Sequence, residues 1–324
     1  MIRKVFLLII IVMAFSCRQE AKSFVNKEAP VDVPVFSADS AYHYVEQQVS
    51  FGPRVPNTAT HKACAVYLAN TLKSFGAVVT EQRVKLRAFN GDILDANNII
   101  ASFKPDEKQR ILLFAHWDTR PWSDHDPNPA NHNKPVLGAN DGASGVGVLL
   151  EIARNIGVSA PRMGVDIVFF DAEDYGAPED YTGNAEDSWC LGSQYWARNP
   201  HVSGYTARFG ILLDMVGAPD ATFYRDQISE HFAPDIVNKV WNKAVSMGFE
   251  RYFIDKPGGG ITDDHLYINQ IAGIPSIDII HYNPNNSHGF GDYWHTVNDG
   301  MQNIDKQTLF AVGTTVMQVV YNER

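Results

Sequence analysis

Cysteine is scarce in this chain. The 324 residues hold three, none in a Cys-x-x-Cys or Cys/His pattern, so a metal here must be held by carboxylates and histidines rather than thiolates. Basic charge is short too: 27 Lys and Arg stand against 37 Asp and Glu, a net charge of −10. With no long Lys/Arg cluster, the chain is poorly suited to polyanions, and nucleic acid is not an expected partner. No internal repeat points to a solenoid, and the apolar run from Val5 to Phe15 is too short to span a bilayer. What remains is an ordinary globular composition, 45% hydrophobic and 20% charged, long enough for one large domain or two smaller ones.

The first residues read as an address rather than as fold. Arg3 and Lys4 precede the apolar run, which ends on small residues, the layout of a secretory signal. Its end, Ala14-Phe15-Ser16-Cys17, resembles a bacterial lipobox, with Ala14 where Leu is usual. Cys17 is then the lipidated N-terminus; the alternative is an ordinary cleaved signal with Cys17 as a bystander. The expected organisation is a signal over 1–17, a polar tether over 18–36 and a single catalytic domain over 37–324. That makes an exported cell-envelope lipoprotein, bound to the membrane through its lipid. The absence of an acidic run after Cys17 points to the periplasmic side of the outer membrane. Cys64 and Cys190 are left as one disulfide or two separate buried thiols, which spacing does not decide.

The hydrophobic pattern predicts helices over Ser37–Val49, with Ser37 or Asp39 as cap, and over Lys62–Phe75, ended by Gly76. Val78–Phe89 and Ala96–Phe103 read as antiparallel strands broken at Asn90-Gly91. Arg110–Ala115, Val165–Phe170, Phe209–Met215 and Ile274–Ile280 read as buried strands, their continuous apolar runs marking burial on both faces. Helices are predicted over Gly145–Asn155, Pro234–Met247 and Asp305–Tyr321. This alternation predicts an α/β fold, a three-layer α/β/α sandwich around a mixed, mostly parallel sheet. Two long polar segments, Pro121–Pro135 and Tyr175–Asp187, follow strand ends, where open α/β sheets place their ligand crevice.

Polar residues gather at those same strand ends. His116-Trp117-Asp118 follows one strand, Asp171-Ala172-Glu173-Asp174 another, and Asp214 a third. Asp141 lies in the glycine-rich turn Gly138–Gly145, and Asp263-Asp264-His265 and Trp294-His295-Thr296 come late. Singly, an Asp before a helix is more often a cap than a ligand, and an acidic stretch more often a solvated face. Together, acceptors delivered by several strand ends plus a late histidine suit zinc, and three protein ligands leave a fourth position for substrate. In adjacent Glu173 and Asp174, one side chain can bind metal while its neighbour serves as general acid and base.

In order and spacing, HxD, NDGASG, FFDAED, LLDMVG and WHT resemble the zinc aminopeptidase-like (M28) family from about Ser37 to the C-terminus. Two branches follow from that resemblance. In the aminopeptidase branch two zinc ions are held by His116, Asp141, Asp174, Asp214 and His295, with Glu173 activating water. In the glutaminyl cyclase branch one zinc is held by the positions of Asp141, Asp174 and His295. Glu173 then shuttles a proton beside a network of Asp214 and Asp263.

Trp294 directly before His295, the Thr262–His265 segment followed by Gly273-Ile274-Pro275, and the aromatics Phe290 and Trp189 resemble the cyclase branch. The aromatics are assigned to the substrate pocket, since Trp189 and Phe290 lie in Gly/Asp/Asn-rich loops rather than apolar runs. Asp174 stands where animal cyclases have Glu, Asp278 where they have His, and retained His116 and Asp214 leave a second metal open. The resemblance implies a zinc enzyme that closes the N-terminal glutamine of peptides or proteins to pyroglutamate and releases ammonia. The alternatives are a dizinc aminopeptidase and a non-enzymatic binding ectodomain on the same fold.

Overall fold

The computed structural model describes residues 32–324. The signal, Cys17 and most of the tether therefore lie outside the described residues. Helices α1 (Ala38–Ser50) and α2 (Ala59–Ser74) lead into strands β1 (Val78–Arg87), β2 (Ile93–Phe103) and β3 (Arg110–His116). Next come α3 (Ala143–Val158), β4 (Gly164–Phe170), α4 (Leu191–Arg198), β5 (Gly210–Asp214) and the short β6 (Phe223–Arg225). The chain closes with α5 (Gln227–Phe232), α6 (Pro234–Ser246), β7 (Phe253–Pro257), α7 (Asp264–Tyr267), β8 (Ser276–Ile280) and α8 (Lys306–Asn322). Capping fixes the principal helix starts. The Ser37 hydroxyl accepts from Ser40 N at 3.2 Å, and the Asp305 carboxylate accepts from Thr308 N at 3.1 Å, each satisfying an otherwise orphaned donor.

Six strands form the main sheet in the order β1-β2-β4-β3-β5-β8. β4, β3, β5 and β8 run parallel, while β2 pairs antiparallel with both β1 and β4. Every residue of β3 and β4 is buried, as a strand covered on both faces requires. The period of two sorts β3 between two cores. Ile111, Leu113 and Ala115 join the cluster built with α1, α2, α3, α6 and α8. Leu112 and Phe114 join the one that holds Trp196 of α4 and Ile268. This is the expected three-layer α/β/α sandwich with a mixed, mostly parallel sheet.

The packed chain begins a few residues earlier than the predicted tether boundary. Val33 packs against the core and Phe36 is buried, its ring lying where a Cβ on Gly313 of α8 would stand. The short elements α4, α5, α7, β6 and β7 were not anticipated, because each is too brief to show a period. Among the described residues no helix is long and apolar enough to cross a membrane. Cys64 and Cys190 are separate, buried free thiols.

Parallel strands bring their C-terminal ends to one edge of the sheet, and the site forms there. Close approach between α3 and β5 sets it up: a Cβ on Gly145 would fall 2.0 Å from the Leu213 carbonyl oxygen. Only glycine lets the helix, and the Asp141 turn before it, seat that deeply.

Candidate active site and metal centre

Four loops from four strand ends carry the site, and backbone in the left-handed region recurs in them. Gly142 follows Asp141 at φ 88°, Ala172 precedes Glu173 at φ 55°, Met215 follows Asp214 at φ 47°, and His295 itself lies at φ 53°. Three of these residues have side chains, so their conformation costs strain that surrounding contacts must hold. Asp118 supplies one such contact, accepting from Glu173 N at 3.1 Å and Asp174 N at 3.2 Å. Asp299 supplies another, accepting from Asn140 N at 2.9 Å and Asp141 N at 3.0 Å.

Asp141, Asp174 and His295 come together as a buried group able to hold a metal ion. His295 Nε2 lies 3.3 Å from Asp174 Oδ1 and 3.6 Å from Asp141 Oδ2. Both oxygens of Asp174 are buried without a hydrogen-bond partner. A buried carboxylate left so is costly unless a cation meets it, so the donor set fits zinc. Burial, and then the positive Arg120 and neighbouring histidines, holds the His295 pKa well below normal. The ring is therefore neutral, the form a ligand needs. Asp124 Oδ1 is the carboxylate nearest its other nitrogen, at 3.6 Å.

A second group, His116, Asp141 and Asp214, shares Asp141 with the first. Its members are already in contact: His116 Nε2 lies 3.0 Å from Asp141 Oδ1 and 3.2 Å from Asp214 Oδ1. Burial alone would lower the His116 pKa, but Asp118, Asp141 and Asp214 outweigh it and hold the pKa well above normal. The two groups together give an architecture suited to one zinc ion or two.

Around them lies a dense set of acids. Burial raises the Glu173 pKa well above the usual range; His116 opposes this, while Asp263, Asp174 and Asp264 add to it. Burial followed by the charge of Asp214 pushes Asp263 to about 7, and burial followed by Asp263 pushes Asp264 to about 8. Asp278 is likewise raised by burial, then by Asp263 and Asp214. Carboxyls tuned this way can hold and pass a proton near neutral pH.

Aromatic rings wall the opening. Trp294 stacks on His295 with centroids 3.7 Å apart, Phe290 packs on Trp294 at 4.7 Å, and the Trp189 ring lies within 7° of parallel to His295. They enclose a cleft of about 160 Å³ whose lining includes Glu173, Asp174, Asp214 and Asp263. Every sequence-predicted site residue that the structure describes lines this cleft except His116, which lies beneath it, 1% exposed. Arg120 went unread in the sequence. Its guanidinium lies 4.6 Å from the Trp189 ring centre and donates to the Asp174 carbonyl at 3.2 Å. Asp299 was also missed, and Asp118 was noticed only as part of the polar cluster after β3, since only the fold shows which backbone groups they hold.

A family model described as peptidase family M28 matches residues 98–320. A Zn-dependent exopeptidase from Parabacteroides distasonis is 59% identical, the match covering 90% of this chain and all of that one with a TM-score of 0.89. Bacteroides thetaiotaomicron glutaminyl cyclase bound to N-acetylhistamine is also 59% identical, with the same coverage and TM-score 0.89. The glutaminyl-peptide cyclotransferase of Bos taurus is 27% identical over 247 residues, which span 66% of this chain and 62% of the bovine protein.

Proposed function

The chain belongs to peptidase family M28, and we propose that within it this protein is a zinc-dependent glutaminyl cyclase, closing the N-terminal glutamine of peptides to pyroglutamate with release of ammonia. The observation that carries this reading is the aromatic wall beside the Asp141, Asp174 and His295 group, where Trp294 stacks on His295 with centroids 3.7 Å apart and Phe290 packs on Trp294 at 4.7 Å over a cleft lined by Glu173. His116 lies under the cleft floor, hydrogen-bonded to Asp214 and in contact with Asp141, and these three form a second group able to hold an ion. Asp174, both of whose oxygens lack a hydrogen-bond partner, marks the group it forms with Asp141 and His295 as the place for the first zinc. A single zinc leaves a hydrolase without its second metal, whereas cyclisation needs neither a second metal nor a bound water. The cleft is of a size to take one side chain.

Asp141, Asp174 and His295 would hold the zinc, which would supply a Lewis acid for the γ-carboxamide oxygen of the substrate. The residues of the chain do the rest. Trp294, Phe290 and Trp189 hold the glutamine side chain folded and keep water from it, so that its own α-amine is the nearest nucleophile. Glu173 accepts a proton as the amine nitrogen bonds to the δ-carbon. It returns that proton to the amide nitrogen as the carbon–nitrogen bond breaks and ammonia departs. Asp263 and Asp214 steady the acid network that keeps Glu173 ready for both transfers.

The test is one assay pair on purified protein. Ammonia from a glutamine-initiated dipeptide, with no leucine released from a leucine-initiated one, is the expected result. Leucine release without ammonia overturns the reading in favour of the aminopeptidase branch, and neither activity would favour a binding ectodomain.

The same proposal puts the enzyme on a lipid anchor at Cys17, through a polar tether that ends where the packed chain begins at Val33, at the periplasmic side of the outer membrane. The basic start, apolar run and lipobox-like end support it. Fatty-acid labelling of the whole chain, abolished by Cys17→Ser, is the expected outcome; equal labelling of both overturns it.

A further inference from the structure

We propose that the Cys190 thiol is a positioning residue for the reaction, donating a hydrogen bond that fixes the Glu173 carboxylate in the cleft. This rests on the cyclase reading for what Glu173 does and deepens it. Cys190 Sγ lies 3.1 Å from Glu173 Oε1. Among the described residues the thiol is the one hydrogen-bond donor to that carboxylate. The nearest cationic ring, that of His116, has its Nδ1 3.9 Å from Oε2, beyond hydrogen-bonding reach.

The position of the thiol is built into the fold. Cys190 heads α4 in the left-handed conformation, at φ 57°. Its backbone N–H donates to the Glu173 carbonyl at 3.0 Å, and Leu191 N–H donates to the Ala172 carbonyl at 3.1 Å. On the other side Asp118 accepts the Glu173 N–H at 3.1 Å. The Glu173 backbone is thus tied from both sides, and the thiol adds the tie on its side chain. Without it, a carboxylate on a flexible stem would be free to turn toward either zinc or substrate.

The chemistry of sulfur suits this task. Cys190 is wholly buried and unpaired. Burial, and then the neighbouring Glu173 charge, pushes its pKa well above normal, so it keeps its proton and donates. An S–H group is a weak donor: it orients the carboxylate while removing little of its basicity. A guanidinium or ammonium in the same place would stabilise the anion and weaken the base. A nucleophilic role does not fit, because reactive cysteines are partly exposed and have lowered pKa values.

Two measurements on the zinc-loaded enzyme test this. In kinetics with a glutamine-initiated dipeptide, Cys190→Ala should lower kcat about tenfold, the scale of a base slightly misplaced. KM and zinc content should stay unchanged, and Cys190→Ser should recover most of kcat. An unchanged kcat in Cys190→Ala, or equal losses in the Ala and Ser variants, overturns the proposal. The second measurement is the infrared S–H stretching band of Cys190, assigned in a Cys64→Ala background. Glu173→Gln should move it to higher frequency as a neutral acceptor replaces the carboxylate. A band that does not move overturns the proposal even where Cys190→Ala fails to fold. A band that moves in a protein releasing no ammonia from glutamine peptides leaves the contact standing and sinks the cyclase reading instead.

Discussion

Asp299 holds the turn that presents Asp141: one carboxylate oxygen takes the Asn140 N–H at 2.9 Å and the other takes the Asp141 N–H at 3.0 Å. Asp299 is wholly buried, and its paired acceptors fix the backbone of the proposed ligand from 158 residues away in sequence. Asparagine has the same shape but offers one acceptor, and its amide hydrogens would face a backbone donor. Asp299→Asn is therefore expected to weaken zinc binding by about 10-fold or more. Competition with a chelator of known affinity measures it, and an unchanged zinc affinity would refute the role.

Glu173→Gln separates proton transfer from metal binding. The carboxamide keeps the size of the side chain and leaves the three proposed ligands untouched, but it accepts no proton at working pH. Turnover should fall by about 10²–10⁴-fold, the usual contribution of a positioned acid and base, with one zinc per chain retained. Full activity in this variant would remove Glu173 from the mechanism, and loss of zinc would make it a ligand instead.

His116 decides the metal count. Replacing it with glutamine removes the positive ring between Asp141 and Asp214, leaving buried carboxylates without their partner, a change that costs about 3–5 kcal/mol. The expected outcome is a markedly lower melting temperature with zinc still at one per chain by elemental analysis. A wild type that binds two zinc ions tightly, falling to one in His116→Gln, would overturn the single-zinc proposal and restore the aminopeptidase as the better reading.

How far the sequence showed all this depends on the kind of residue. Buried strands such as Arg110–His116 and Gly164–Phe170 were legible because a short, continuous apolar run suits a strand covered on both faces. Asp141, Asp174 and His295 stood out because polar residues at the ends of such runs are conspicuous. Asp299, Arg120 and Cys190 were not legible, and Asp118 was conspicuous without its role. Their work is to hold backbone or side-chain groups on other loops, and nothing in their local sequence says which loops meet. Cys190 also sits at a left-handed helix start without a side-chain cap, so the signal that announces most helices was missing. The six-to-eight-residue helices α4 and α5 lacked the length for a period to show.

Stability without metal should depend on pH in a direction set by the buried acids. In the metal-free protein burial raises Asp263 to about 7, Asp264 to about 8 and Asp299 to about 7, each from 3.8. Between pH 4 and 8 the folded chain therefore holds more protons than the unfolded one, so stability falls as pH rises through this window. Zinc neutralises part of the negative charge these acids feel, and its binding strengthens as its ligands lose protons. The expected result is a melting temperature that drops steadily from pH 5.5 to 8.5 in the presence of chelator, while the zinc-loaded enzyme changes less. The gap between the two curves should widen with pH. Thermal unfolding at matched ionic strength checks it, and a chelated protein that gains stability toward pH 8 would show that these carboxyls are charged in the fold.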